Sequence, residues 1–155
     1  MTSYAPERLA QAPGPTIAPA RFSITIDGYE IASFSELQGL TSGVDPAPLA
    51  LGIDKQGKAA LRIPAKREPP SVTLRRGMVA DIALSTWHSD GLRAASGRRN
   101  ADLVMYSTDG KPVARYYLEQ AWPAKVEVGS LKGGAGEVLY ETVTIVCDRL
   151  ERVEL

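Results

Sequence analysis

Hydrophobic and polar residues alternate with a period of two along most of this chain, and with a helical period in only one place. Phe22, Ile24 and Ile26 alternate with Ser23, Thr25 and Asp27, the pattern of a half-buried strand. Asp27-Gly28 comes next. It predicts a hairpin, because a two-residue turn needs positive φ at both central positions. The run from Tyr29 to Leu40 carries Ile31, Phe34, Leu37 and Leu40, a spacing that fits neither strand nor helix cleanly. It predicts a second strand with a bend or bulge, ending at Gly39.

Val72 to Arg76 predicts a short strand closed by Gly77. The period then changes: Val79, Ile82, Ala83, Thr86 and Trp87 fall on one face at helical spacing. Asp81 is expected in the first turn, where the helix dipole favours negative charge, and Gly91 is expected to end the helix after about three turns. Ala101 to Tyr106, the turn Thr108-Asp109-Gly110 and Val113 to Glu119 read as a second hairpin. Ala121-Trp122-Pro123 is expected to break that strand, since proline cannot donate to a ladder, with Ala124 to Val128 resuming in extended form. Residues 129–136 form a glycine-rich loop. Val138 to Asp148 is the longest predicted strand, with Leu139, Val143, Ile145 and Cys147 on one face against Tyr140, Thr142, Thr144 and Val146 on the other. Apolar residues on both faces predict that both are covered.

Two stretches stand apart. Residues 1–20 hold four prolines and little periodicity, which predicts an irregular or extended arm. Residues 41–70 carry Pro46, Pro48, Pro64, Pro69 and Pro70. Within them Leu49, Leu51 and Ile53 alternate, as do Leu61 and Ile63, around a polar tip from Asp54 to Lys58. This predicts a hairpin arm at about 41–64, projecting from a domain that spans 21–155. A domain this small cannot bury the apolar positions of such an arm at home, so Leu49, Leu51, Ile53, Leu61 and Ile63 need a partner surface. Lys55 and Lys58 at the tip would share that contact. The fold class is therefore mainly β: about seven strands in a small barrel or sandwich with one flanking helix.

Composition narrows the function. The 155 residues are the size of one domain. Eighteen lysines and arginines balance eighteen aspartates and glutamates. A zero net charge argues against a free-standing nucleic-acid binder and tolerates self-association. One cysteine, Cys147, and one histidine, His88, cannot build a disulfide framework or a four-ligand metal site. No apolar run reaches the ~20 residues of a membrane span, and the proline-broken opening residues lack an apolar signal core. A single cysteine allows a cytosolic assembly site, and no membrane anchor is expected.

Catalytic chemistry is not legible. His88 has no partner motif and reads as a capping or surface residue near a helix end. Cys147 has apolar neighbours on its strand face and reads as a small buried hydrophobe. The loop 129–136 is not a phosphate cradle, because Glu137 and a strand follow it where a lysine and a helix are needed. The chain is expected to be no enzyme and to bind no cofactor. Residues 54–76 hold seven lysines or arginines against Asp54 and Glu68, while Glu137 to Leu155 holds five acidic residues against Arg149 and Arg152. One copy's basic arm meeting another copy's acidic edge would give directional association; two separately solvated surfaces are the alternative.

The order of segments resembles a known family. Phe22-Ser-Ile24-Thr-Ile26-Asp27-Gly28 followed by Ile31 through Leu40, Val72 through Gly77 followed by a helix with Trp87, Leu118 through Lys125, and the late strand Glu141 to Ile145 look like the tail tube proteins of contractile phages and related contractile injection systems. The type VI secretion tube protein is related to them. The resemblance covers residues 22–149. It implies a structural protein whose six copies close into a ring with one continuous inner barrel. Rings stack into a tube inside a contracting sheath, with cap and baseplate proteins at its ends and cargo in its lumen. In that family the arm after the second strand contacts the neighbouring ring. The proline-rich opening is longer than the family pattern requires, and Arg149 to Leu155 lacks the expected short glycine-containing ending. Both the main tube protein and an initiator, cap or baseplate-adaptor paralogue fit the resemblance.

Overall fold

A computed structural model of the chain describes residues 16–46, 50–53, 59–62, 65–94, 97–130, 133–134 and 136–155. The strands preceding the helix are β1 (Arg21–Ile26), β2 (Tyr29–Phe34), β3 (Glu36–Thr41), β4 (Val44–Pro46), β5 (Ala50–Ile53), β6 (Ala59–Arg62), β7 (Ala65–Arg67) and β8 (Ser71–Gly77). The helix α1 (Ala83–Arg93) leads to β9 (Arg99–Tyr106), β10 (Pro112–Val128), β11 (Tyr140–Val146) and β12 (Arg149–Val153). The expectation of about seven strands undercounts for three reasons. The run 29–40 divides in two at Ser35, the arm contributes four short strands, and the final strand was not anticipated. The proline-rich residues 1–15 lie outside the described residues.

Eight strands form one antiparallel sheet in the order β2-β1-β9-β10-β11-β8-β3, with β12 pairing β10 beside this path. The sheet folds over on itself into two layers. β10 belongs to both. Its first half lies between β9 and β12, and from Trp122 onward it pairs with β11. It turns near Gln120, whose φ of 52° coincides with a register shift against β9 between Leu118 and Ala121. The following hairpin partner turns with it. β11 gives way to β12 across Cys147-Asp148, and Asp148 N–H donates to Glu119 O at 2.8 Å. At the far side β2 becomes β3 across Ser35 alone, so the two ends of the sheet are joined by the chain and not by a ladder. The expected barrel or sandwich is thus a two-layered open sheet whose edges remain unpaired among the described residues.

Asp27 (φ 52°) and Gly28 (φ 81°) make the predicted turn of the first hairpin. In the second hairpin, the Ser107 hydroxyl and the Lys111 N–H both donate to the Asp109 carboxylate, which holds its pKa below the usual aspartate value. The core lies between the layers. Ile24, Val72, Leu74, Leu103, Leu118, Val143 and Ile145 are wholly buried there. Strand alternation puts a charge among them: on β8 the inward positions are Val72, Leu74 and Arg76. Arg76 stands opposite Glu141 of β11. Arg76 Nε reaches Glu141 Oε2 at 3.0 Å with both side chains more than nine-tenths buried. Its guanidinium carbon lies 5.3 Å from the Phe34 ring centre. Glu141 thus fills the inward place between Leu139 and Val143, on the face read as apolar. The opposite face of β11, with Tyr140, Thr142, Thr144 and Val146, stays partly exposed in the single chain, so only one of the two faces is covered.

The helix corrects two expectations. It starts at Ala83, not at Val79: Asp81 Oδ1 accepts from Ala83 N–H at 2.9 Å from before the first turn, and Val79 and Ile82 are exposed. Gly91 does not end it. The helix runs to Arg93 and stops at Ala94, which is extended. Gly91 is glycine for contact: a β-carbon there would fall 1.6 Å from Trp122 Nε1, and one on Gly97 would fall 2.4 Å from Gly91 Cα. Leu84 and Trp87 form the buried stripe, and Trp87 Nε1–H donates to Gly97 O at 2.6 Å. Pro123 does not break β10 either. The strand passes through it with a register shift against β11 between Pro123 and Lys125. A missing N–H is tolerated there because this half of β10 has a neighbour on one side only.

Candidate functional site

The residues with latent chemistry are structural. His88 Nδ1–H donates to Pro123 O at 2.5 Å, and its ring stacks on Trp122 with centres 6.1 Å apart and planes 7° apart. Trp122 Nε1–H donates back to His88 O at 3.3 Å. These contacts tie α1 to β10. Cys147 is buried. Burial, with a smaller contribution from the neighbouring Asp148 charge, pushes its thiol up to about 11, far from a reactive thiolate. Among the described residues no three histidine, cysteine or carboxylate side chains group as metal ligands. No helix there is long and apolar enough to cross a membrane.

What the molecule offers is surface, and above all strand edges. The outer face of the layer β2-β1-β9-β10-β12 is laced by cross-strand ion pairs: Arg21–Glu30 at 3.1 Å, Arg115–Asp102 at 3.3 Å and Arg149–Glu119 at 3.0 Å. The outer face of the other layer is smaller in side chain. Thr73 and Thr144 hydroxyls meet at 3.5 Å. Arg75 reaches Glu36 at 3.4 Å and lies 3.8 Å over the Tyr140 ring. Exposed pairs of this kind add little stability each, but they fix which strand neighbours which. Exposed apolar side chains gather at Met78, Val79 and Ile82, between β8 and α1, with Tyr29 of β2 also outside.

β4 pairs β7 and β5 pairs β6, both antiparallel and separate from the main sheet. Leu51 stands opposite Leu61, and Ile53 opposite Ala59. Leu49, Lys55, Lys58 and Ile63 lie outside the described residues. The expected acidic surface at the C-terminal end is partly used at home. Glu141 is held by Arg76, Asp148 by Arg98 at 3.4 Å and Glu151 by Arg149 at 3.8 Å. The sequence reading has Ala124 to Val128 extended and joins β3 to β2 as one bent strand; that β3 and the end of β10 are the outer strands of the second layer is what it lacks. The odd spacing of Leu37 and Leu40 was the available signal.

The described residues form an open, two-layered antiparallel sheet with one helix and two short separate ladders. Residues 18–151 match the family described as T4-like virus tail tube protein gp19. The chain belongs to that family. Tail tube family members are structural proteins and not enzymes. Among curated proteins none matches the sequence. Solved structures share the fold. A chain of the sheath–tube complex of an extracellular contractile injection system, PVC, in its extended state is 16% identical, covering 99% of this tail tube family member and 100% of that chain with a TM-score of 0.64. A chain of the anti-feeding prophage tube-terminating cap is 18% identical over 94% and 95% of the two chains, with a TM-score of 0.63. One from the anti-feeding prophage baseplate is 17% identical over 92% and 97%, with a TM-score of 0.62.

Proposed function

We propose that this tail tube family member is the repeating subunit of the inner tube of a contractile phage tail or phage-derived injection system. Six copies close into a ring and rings stack around a lumen that carries cargo. A sheath surrounds the tube, and cap and baseplate proteins finish its ends. The arm at about 41–64 reaches the adjoining ring through Leu49, Leu51, Ile53, Leu61 and Ile63, with Lys55 and Lys58 at its tip. Assembly takes place in the bacterial cytoplasm, and the finished particle is either released or retained.

The observation that carries this reading is the open sheet in a chain of the tail tube family. Unpaired strand edges invite association, and a heterologous contact repeated by rotation closes a ring whose stacking gives a filament. Negative-stain electron microscopy of concentrated protein tests it: rings or tubes are expected, and featureless single copies overturn it. The comparable likeness to chains of a cap and of a baseplate favours one second reading, an end piece of the same machine. Light scattering over rising concentration separates the two, since an end piece stops at a fixed small oligomer.

A further inference from the structure

β2 is an outer strand: among the described residues it pairs β1 and has no strand on its far side. Residues 78–82 run past it on the way from β8 to α1. A cleft of about 280 Å³ lies there, lined by Glu30, Ile31 and Ala32 of β2, by Val79 and Asp81 of the passing segment, and by Arg76. Ile31 also lines a second cleft, of about 300 Å³, whose walls include Ala83, Trp87 and Asp90 of α1 and Arg99 of β9. Sharing that wall, the two make one groove along β2.

The groove is apolar and mildly acidic. Met78 and Val79 are half exposed beside it, and Ile82 is 70% exposed. Apolar side chains gathered this way on a single chain mark a contact surface. Arg76 is already held by Glu141 and Glu30 by Arg21, which leaves Asp81 and Asp90 against Arg99. The arm is the complement. Residues 41–67 carry Lys55, Lys58, Arg62, Lys66 and Arg67 against Asp45 and Asp54, an excess of three positive charges. The alternation of Leu49, Leu51 and Ile53 adds apolar positions to the same segment.

We infer that the groove between β2 and residues 79–90 receives the arm of a copy in the adjoining ring. The inference rests on the stacked-tube reading above, in which the arm crosses to another ring but has no assigned acceptor. Position supports it. The arm leaves β3 after Thr41 and rejoins the sheet at Ser71, and these two residues are paired. The groove begins past Gly77, the other end of β8. Seven residues of strand span about 20 Å, so arm and groove lie at opposite ends of one strand. Rings stacked in one sense bring one end of each copy against the other end of the next, a heterologous contact that repeats without closing. Charge supports it as well. A net positive arm meets a net negative groove, which selects the partner and the sense of stacking. Rings stacked head to head would set arm against arm, with like charges opposed.

Two singly substituted chains test the contact. Full-length Val79→Cys and Leu51→Cys proteins are mixed, assembled and oxidised with copper-phenanthroline. A two-copy band on a non-reducing gel that requires both variants is expected, while Cys147 stays buried. Val79→Lys, which sets a like charge against the arm, should stop growth at single rings while circular dichroism and melting remain those of wild type. Tubes that yield no such band, or long tubes from Val79→Lys, overturn the groove as acceptor and leave the tube itself standing. With both cysteines in one polypeptide, a link that forms within the chain and never between copies shows an arm folded onto its own groove, and overturns the inference as well. Wild-type protein that forms no stacked rings overturns the inference together with the tube reading.

Discussion

Gly91 of α1 lies so close to Trp122 of β10 that a β-carbon on the glycine would fall 1.6 Å from the indole nitrogen. The contact explains why a helix tolerates a glycine in its last turns and why the strand can carry a tryptophan beside a proline. The indole occupies the space the missing side chain leaves, and from there it reaches His88 O.

Gly91→Ala should therefore destabilise the fold although alanine is the better helix former by about 1 kcal/mol. Displacing the indole costs its stacking on His88 and its hydrogen bond, and overpacking of this kind costs about 1–3 kcal/mol. Thermal melting should show a lower midpoint, with a shifted tryptophan emission. A higher midpoint would refute the contact.

The Arg76–Glu141 pair is buried inside the aliphatic layer, so removing one partner leaves a charge without compensation. Arg76→Ala or Glu141→Ala should each cost about 3–5 kcal/mol in denaturant unfolding. Arg76→Met combined with Glu141→Leu should lose much less than the sum, because packed apolar side chains replace a buried pair well. Additive losses would show that the two residues do not act together.

Cys147 links stability to alkaline pH. Its thiol titrates near 9.0 when unfolded and at about 11 when folded. Between these values the folded state holds the proton more tightly, so stability is full below pH 9 and falls as pH rises toward 11. Cys147→Ala should flatten the fall in melting midpoint over that window. Iodoacetamide should label the wild-type thiol slowly at pH 8 and quickly once the chain is unfolded in urea.

In the proposed tube the arm separates folding from assembly. Leu51→Asp or Ile53→Asp should leave the unfolding free energy of the main sheet within about 0.5 kcal/mol of wild type, the range for positions outside the core, and should prevent tubes from lengthening. Long tubes from these variants, seen in micrographs, would remove the arm from the stacking contact.

The sequence made the first hairpin legible because Asp27-Gly28 admits few backbone paths, and it made the inward row of β1 legible because Phe22, Ile24 and Ile26 alternate strictly. It misplaced the start of α1 because Val79 and Ile82 continue the helical spacing while Asp81 has already accepted the first N–H. It overstated Pro123 because a proline disrupts a ladder only where the strand has neighbours on both sides. Glu141 was hidden for a different reason. Alternation marks a residue as inward, but only the register against β8 reveals the arginine that makes a buried carboxylate tolerable. The alternation of Leu49, Leu51 and Ile53 reads as a hairpin, and among the described residues β5 pairs β6 there. The free edges of β3 and β10 depend on which strands lie side by side, and no local pattern carries that.

The most direct test of the central claim is a sedimentation-velocity series on the purified chain, run alone and with its sheath protein over a wide concentration range. The account predicts a six-copy species that grows into longer particles as concentration rises and is drawn to larger size by the sheath. A single-copy boundary at every concentration, unchanged by the sheath, would contradict it.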